Sequence, residues 1–314
     1  MTTAANTTVL QSFVTTVLDG KNLPAAEKFL SQNFLHHDRA PGEETGQQTG
    51  LAGTKAFFTN TVFAAFSRFN TTFEDLVAEG DLIAGRWRQT SVNTGTWLGR
   101  PATNATVDIA GISIVRVRDG LIVEEWESRD SVSMLRQLGV SLPKLTVLSA
   151  SDAAVPPKFT PAPFRANGSL APGGGSLGLI DLKALVGSLF AGVYNSGNLG
   201  LLQLLLAPGY VLHDPTGLLP ATRSGLASLV TTFRTGMPDF ATTVDLQLAQ
   251  GDRVVSRWTG RGTHKDTLFG IPRTGVPVTV SGISVMRVRG TQIQEEWLLW
   301  DQLSLLQQIA KAPL

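Results

Sequence analysis

The chain contains the same sequence twice, and this repeat limits the folds that it can adopt. Residues 111–130 read GISIVRVRDGLIVEEWESRD and residues 282–301 read GISVMRVRGTQIQEEWLLWD, with 11 of 20 positions identical at a constant offset of 171. A repeat of this strength indicates that one folding unit occurs more than once. The 314 residues provide room for two domains of ordinary size. We therefore expect two similar domains.

Further matches extend the repeat towards the start of each half. The offset of 171 also pairs Trp87 with Trp258, whereas an offset of 176 pairs His37 with His213 further upstream. The first copy therefore has an insertion of five residues within 43–50, which is expected in a loop. The copies are predicted at residues 1–140 and 179–314, joined by a linker rich in proline and glycine at residues 141–178.

The spacing of apolar residues changes in the same way within each copy. Helical spacing opens both copies, and a second helix is predicted to end at Phe34 and Tyr210. Strand-like alternation follows, and Asp119–Gly120 is typical of a tight hairpin turn. Helices followed by antiparallel strands indicate the α+β class, with a curved sheet wrapped around the helices and a cavity inside.

Composition argues against several classes of function. The chain has 26 basic and 25 acidic residues without long runs of either, so no strong field attracts nucleic acid or an anionic membrane. It has no cysteine, which excludes disulfides and thiolate sites. The first residues lack the pattern of a secretory signal, and no apolar stretch reaches the length of a membrane span. We expect a cytoplasmic protein that binds a small molecule.

Strand parity brings candidate catalytic residues together in the second copy. Alternate residues of a strand share a face, so Trp258 and His264 are expected on one face, and Trp297 and Asp301 on another that lines the same cavity. A histidine and a carboxylate in an apolar pocket suit acid/base chemistry. The corresponding residues of the first copy are Trp87, Asn93, Trp126 and Asp130. An asparagine there can hold a carbonyl group but cannot exchange a proton.

Structural roles explain several of the same residues. Asp130 and Asp301 each precede a predicted helix and suit an N-cap. His264 also suits an exposed turn, and the tryptophans also suit the core. His37 and His213 are either ligands at the pocket mouth or residues that fix a loop. Adjacent strand residues face opposite ways, so one member of each GluGlu pair, at 124–125 and 295–296, is expected to pair with a strand arginine across the hairpin. A solvated ladder is preferred to a catalytic carboxylate pair.

The order of motifs in the second copy resembles the SnoaL-like polyketide cyclase family of the NTF2-like superfamily. The motifs are HisAspPro at 213–215, GlyThrHis at 262–264, GlyIleProArgThrGly at 270–275, and then Trp297 and Asp301 before a final helix. The resemblance implies a tandem pair of cone-shaped α+β barrels. It also implies an acid/base role for Asp301, and for Asp130 in the first copy, in an aldol-type ring closure assisted by His264, without metal or cofactor. Substrate contacts are expected from His37, Trp87, Asn93, Trp126, His213, Trp258 and Trp297.

The resulting hypothesis is a cyclase-like enzyme that acts on a hydrophobic carbonyl compound, with the second copy as the more intact site. A carrier of small ligands, an isomerase, a dehydratase and an epoxide hydrolase remain alternatives. No nucleic acid or membrane partner is expected. Because family members pair through the outer sheet face, we expect the two copies to form a pseudo-dimer within the chain, with further association of chains left open.

Overall fold

The computed structural model describes residues 3–37, 48–148 and 178–310, which divide into two compact units at Leu142 and Pro143. Most of the predicted linker and much of the predicted insertion lie outside these residues. Within the described ranges, no helix is both long and apolar enough to cross a membrane.

The first copy opens with helices and continues as a sheet. The helix α1 (Thr3–Phe13) runs on into a π-helical turn at Val14–Asp19, and a 3-10 turn follows at Leu23–Lys28. The helix α2 (Gly50–Phe57) likewise continues through a π-helical turn, Phe58–Val62, into α3 (Phe63–Ala65). The regular elements are α1 (Thr3–Phe13), β1 (Leu30–His36), β2 (Gln48–Thr49), α2 (Gly50–Phe57), α3 (Phe63–Ala65), β3 (Phe66–Glu79), β4 (Leu82–Asn93), β5 (Thr106–Arg118), β6 (Leu121–Arg129) and α4 (Ser131–Gln137).

The second copy repeats this order. Its first helix also ends in a π-helical turn, Leu189–Asn195. The elements are α5 (Leu179–Ser188), α6 (Leu201–Leu205), β7 (Leu206–His213), α7 (Arg223–Gly236), β8 (Ala241–Gln250), β9 (Arg253–Thr263), β10 (Pro277–Arg289), β11 (Gln292–Trp300) and α8 (Gln302–Ala310).

The two sheets have matching topology. The strand orders are β2-β1-β6-β5-β4-β3 and β7-β11-β10-β9-β8. All neighbours are antiparallel except β1 with β6 and β7 with β11, which are parallel. In the first copy, α1 packs on the sheet, where Leu10 and Phe13 join Ile83 and Val115 in the core. The observed architecture is the predicted α+β arrangement of helices covered by a curved sheet.

The prediction that helices end at Phe34 and Tyr210 is wrong, because both residues lie in strands. Each is buried and belongs to the strand that pairs in parallel with the last strand of its sheet. The hairpin prediction is confirmed at Asp119 and Gly120, which have φ values of 49° and 79°. Positive φ at both central residues is the requirement of a type I′ turn.

The last strand of each sheet presents a different face to the interior from the one predicted. In β11, Glu296, Leu298 and Trp300 are buried, whereas Trp297 is half-buried. The expectation that Trp297 shares the interior with Trp258 is therefore wrong. The corresponding Trp126 in β6 is also only half-buried, since alternation along the strand directs its neighbours Glu125 and Glu127 inward.

Candidate functional site

The first copy encloses a cavity between its helices and the concave face of its sheet. Its volume is about 100 Å³, several times what one buried water molecule requires. Phe13, Phe57 and Trp87 are among the apolar side chains that form most of the wall. The polar residues that line it are His36, Thr54, Thr71, Gln89, Ser113, Glu125, Glu127 and Arg129.

A smaller chamber of about 50 Å³ lies beside the first and shares part of its wall. Trp97 and Met134 belong to the smaller chamber alone, whereas Gln89 and Arg129 line both. The shared apolar wall is formed by Phe57, Val62 and Phe69. A ligand longer than the main cavity could therefore extend past Gln89 and Arg129.

A hydrogen-bonded chain fixes Glu127 on the cavity wall. Trp87 Nε1 donates to Ser113 Oγ at 3.1 Å, and Ser113 Oγ donates to Glu127 Oε2 at 3.3 Å. The other carboxylate oxygen, Oε1, forms an ion pair with Arg129. Ser113 and Glu127 are opposite each other in the register of β5 and β6. The carboxylate and the guanidinium are thus held side by side at the cavity surface.

His36 and Glu125 form a second polar pair on the same wall. They are partners in the parallel register of β1 and β6, and adjacent strands lie about 4.8 Å apart. His36 is 5% exposed. Glu125 and Glu127 are two residues apart on β6, so both carboxylates are on the face that lines the cavity. The cavity therefore combines two carboxylates, a histidine and an arginine within an apolar enclosure.

These four residues are not among the predicted site residues. The arginine pairing predicted for one member of each GluGlu pair is confirmed, at Glu124 and at Glu295. Glu124 accepts a bond from Arg116 Nε at 2.7 Å on the outer face, but Glu125 lines the cavity. A signal was present in the repeat. The offset of 171 pairs Glu127 with Leu298 and Arg129 with Trp300, and large apolar counterparts indicate an interior face.

Aromatic side chains fill the equivalent interior of the second copy. Phe233 stacks on Phe240 at 4.5 Å between ring centroids and meets the edge of Trp300 at 5.4 Å. Tyr194 lies 6.4 Å from Trp258 by the same measure. All five rings are at most 3% exposed. The counterparts of His36, Gln89, Glu127 and Arg129 are Leu212, Gly260, Leu298 and Trp300.

The start of the predicted linker packs on the second copy. Thr146 N donates to Phe269 O at 3.1 Å, and Leu148 N donates to Thr232 Oγ1 at 2.9 Å. Leu145 is buried. Thr61, the counterpart of Thr232 at the offset of 171, lines the smaller chamber of the first copy. Residues 143–148 therefore cover, in the second copy, the position that corresponds to an open chamber in the first.

Of the two cavity carboxylates, only Glu125 has an acidic counterpart in the second copy. This counterpart, Glu296, is completely buried. Tyr210 Oη donates to its Oε2 at 2.7 Å, and no described group bonds its Oε1. Burial raises the pKa of Glu296 above its ordinary value of 4.5, although hydrogen bonds from Tyr210 and Ser284 act in the opposite direction. The shift is in the direction of the neutral acid, as expected for a carboxyl group removed from water.

We expect Glu296→Gln to reduce the pH dependence of stability in the second copy. A raised folded-state pKa means that the folded form binds more protons, so the contribution of Glu296 is complete below about pH 4.5 and is lost as the pH rises through its folded pKa. The loss is about 1.4 kcal/mol for each unit of pKa increase. Chemical unfolding at about pH 5 and pH 8 measures it. Glu295→Gln, on the outer face, should retain the wild-type dependence.

His264 and Asn93 hold equivalent loops rather than lining the cavities described above. His264 is fully buried, and its Nδ1 lies 2.9 Å from Thr274 Oγ1. Asn93 Oδ1 accepts from the hydroxyl of Thr103, the counterpart of Thr274, at 3.0 Å. Burial lowers the pKa of His264. The histidine of the second copy and the asparagine of the first therefore have the same role, which is to fix a loop.

The structure does not bring His264 and Asp301 together. The amide of His264 donates to Val276 O, just before β10, and that of Asp301 donates to Ser281 O on β10, so the two attachment points are five residues apart. At about 3.4 Å per residue this separation is about 17 Å along the strand, which their side chains do not span. The predicted pairing is corrected on this ground.

Asp130 and Asp301 cap the helices that follow them. Asp130 Oδ1 accepts from Ser133 N at 2.9 Å, and Asp301 Oδ1 accepts from Ser304 N at 2.8 Å. This is the N-cap interaction that the sequence also suggested. Neither aspartate lines the two chambers of the first copy.

The remaining predicted ligands His37, Trp126, His213 and Trp297 form one arrangement that occurs on both outer sheet faces. His37 stacks on Trp126 at 4.7 Å, and His213 stacks on Trp297 at 4.9 Å. Arg116 and Arg287 lie over the two indole rings, at 5.7 and 5.6 Å. These contacts stabilise the outer faces of both sheets. Of the predicted substrate contacts, Trp87 alone lines the cavity.

No group of three or more histidine and acidic side chains in the described ranges has the arrangement of a metal site. Among the polar residues of the cavity, Ser113 and Arg129 both contact Glu127. The arrangement suits proton transfer by side chains.

The sequence profile of the SnoaL-like polyketide cyclase family matches residues 8–138 and 184–309, together 257 of the 314 residues. The chain belongs to this family. The family assignment confirms two tandem copies of the NTF2-like α+β cone. No curated protein matches the chain.

Three similar solved structures each match less than half of this chain. A candidate polyketide cyclase from Acidithiobacillus ferrooxidans is 30% identical, with 42% of this chain and 96% of that chain covered and a TM-score of 0.38. IdmH, a candidate polyketide cyclase from Streptomyces antibioticus, is 24% identical with 43% and 99% covered and a TM-score of 0.38. AclR, a candidate hydroxylase from Streptomyces galilaeus, is 23% identical with 43% and 100% covered and a TM-score of 0.40.

Proposed function

We propose that the first copy is the catalytic half of a cofactor-independent cyclase that closes a ring in a hydrophobic carbonyl substrate by acid/base chemistry. One observation carries this proposal: His36, Glu125, Glu127 and Arg129 all line one largely apolar cavity. Charged groups that converge in an enclosed apolar pocket are typical of catalytic sites. Family membership supports a cyclase-like activity but does not identify the copy or the residues.

The first step is removal of a proton from the carbon next to a substrate carbonyl. Glu127 accepts this proton, and the electron pair of the broken C–H bond passes into an enolate whose charge rests on oxygen. Arg129 is held beside Glu127, so its remaining N–H groups can stabilise that oxygen. Stabilisation of developing charge by fixed donors in a dry site is a large catalytic effect.

Ring closure follows when the enolate carbon attacks a second carbonyl carbon of the same molecule. A C–C bond forms, and the electron pair of the attacked C=O bond moves to its oxygen. The pair formed by His36 and Glu125 supplies a proton to this oxygen. The proton on Glu127 then passes to solvent, and the pair takes up a proton from solvent, which restores both groups. The apolar wall holds the folded substrate, since binding in a reactive geometry lowers the barrier.

The proposal places activity in the first copy, whereas the sequence favoured the second. That preference relied on His264 and Asp301, which fix a loop and cap a helix. In the second copy, the positions equivalent to His36 and Glu127 are occupied by the buried side chains of Leu212 and Leu298. The charged side chains that reach a cavity therefore favour the first copy.

Deuterium exchange tests which copy is active. The full chain is incubated in D₂O with 2-tetralone, an apolar ketone, and loss of the signals of the protons next to its carbonyl is followed by NMR. We expect the double variant His264→Asn, Asp301→Asn to retain wild-type exchange. The double variant His36→Leu, Glu127→Leu, which carries the residues of the second copy, should lose it by at least about 100-fold.

Loss of exchange in the first variant and retention in the second would contradict the proposal. Tight binding of the ketone by the wild-type chain without any exchange would favour the carrier alternative. Titration of the intrinsic tryptophan fluorescence with the ketone measures that binding independently of turnover.

A further inference from the structure

Gln89 stands at the junction of the two chambers in the first copy, and its amide is held in one orientation. Gln89 and Arg129 line both chambers. Gln89 Nε2 donates to Thr71 Oγ1 at 2.9 Å. Among the described residues, no protein group donates to Gln89 Oε1. The mechanism above leaves this side chain without a role.

The contacts of Thr71 determine which end of the Gln89 amide faces it. Asp19 accepts from Thr71 N at 3.0 Å and from Thr71 Oγ1 at 2.8 Å. A threonine hydroxyl has one proton to donate, and the hydroxyl of Thr71 donates it in the hydrogen bond to Asp19. The hydroxyl oxygen can then only accept, so it must face the NH₂ of Gln89. The carbonyl oxygen Oε1 is consequently the end of the amide that remains available to a ligand.

The second copy keeps the counterpart of the hydrogen bonds between Asp19 and Thr71 but not the counterpart of Gln89. Asn195 Oδ1 accepts from Thr242 N at 2.6 Å and from Thr242 Oγ1 at 2.8 Å, as Asp19 does with Thr71. The counterpart of Gln89 is Gly260. Both copies thus keep the hydrogen bonds from the threonine to the residue at the helix end. The glutamine occurs only in the first copy, where it lines the cavity. The fold does not require Gln89.

We propose that Gln89 is a specificity residue whose Oε1 accepts a hydrogen bond from a hydroxyl group of the substrate. Arg129, which also lines both chambers, supplies donors for a carbonyl oxygen. The substrate is then an apolar hydroxy-ketone that extends through both chambers, with its hydroxyl at their junction. This inference deepens the proposed function and rests on it for the identity of the ligand as a substrate.

Paired ligands test the inference on the full chain. The probes are 2-tetralones that carry one hydroxyl at each of the aromatic ring positions, and the methyl ethers of the same compounds, which lack the donor. We expect at least one hydroxyl compound to bind the wild-type chain about tenfold more tightly than its ether, since an unmet polar partner is costly. Calorimetric titration measures both affinities.

Three variants identify the source of the preference. Gln89→Leu is expected to bring the affinity ratio of hydroxyl compound to ether close to one. Thr71→Val removes the acceptor that orients the amide and should lower the ratio. Thr242→Val removes the matching bond in the second copy and should leave the ratio unchanged.

Two results would overturn the inference: an unchanged ratio in Gln89→Leu, or no pair in which the wild-type chain binds the hydroxyl compound more tightly. The proposed catalysis is tested separately, because these affinities need no turnover. A preference for the hydroxyl compounds together with an absence of deuterium exchange would sustain the specificity role and reject the cyclase.

Discussion

Glu127→Gln is expected to lower the rate of deuterium exchange by at least about 100-fold while leaving the affinity for 2-tetralone within about threefold of wild type. Glutamine preserves the size of the side chain and can still accept from Ser113 Oγ, which donates to Glu127 Oε2 at 3.3 Å. It cannot take a proton from carbon at neutral pH. Removal of a general base typically costs between about 100-fold and 10,000-fold in rate. NMR exchange kinetics and fluorescence titration measure the two quantities.

Glu124→Gln is the matched control for this variant. Glu124 lies three residues earlier on the same strand, and its partner is Arg116 on the outer face. Its replacement should leave exchange unchanged. An equal loss of rate in both variants would indicate a general disturbance of β6, and retention of the rate in Glu127→Gln would exclude Glu127 as the base.

The second large effect is on stability: Trp258→Ala should cost the second copy about 3 to 5 kcal/mol. Trp258 is 2% exposed and lies close to the rings of Phe190 and Tyr194. It also covers Gly282, where a Cβ atom would come within 2.4 Å of the indole. Truncation would leave a large empty space in a filled interior, because the surrounding rings cannot all move inward.

Trp87→Ala provides the comparison in the first copy and is expected to cost less. Trp87 covers Gly111 in the same way, but one part of its ring already faces the cavity. Truncation there enlarges an existing space rather than creating one. Because two domains need not unfold together, hydrogen exchange read by mass spectrometry should be used to follow each copy separately. A smaller loss for Trp258→Ala than for Trp87→Ala would contradict the description of the second interior as filled.

Local patterns predicted the parts of the fold that depend on neighbours in sequence. The repeat predicted two copies, and the dipeptide Asp119–Gly120 predicted the turn between two long strands. The apolar spacing around Phe34 and Tyr210 predicts helices, but both residues lie in strands whose partners are remote in sequence. Each pairs in parallel with the last strand of its sheet, about 90 residues further on, and no local period reveals such a pairing.

The candidate site was harder to predict because both faces of the last strand carry large side chains. Trp297 and Trp300 are three residues apart and lie on opposite faces, so the presence of an indole does not mark the interior. The interior face was detectable only by comparing the copies, since Glu127 and Arg129 are replaced by Leu298 and Trp300. Histidine can transfer protons, so the residue type of His264 suggests catalysis, but its hydrogen bond to Thr274 fixes a loop.

Residues 143–148 change what the proline-rich segment does in the chain. They are bonded to the second copy through Phe269 and Thr232, and residue 178 begins the first helix of that same copy. The chain therefore passes from the first unit to the second at Leu142 and Pro143, before most of the proline-rich segment. An engineer who wished to lengthen the connection between the two copies would insert residues at this boundary.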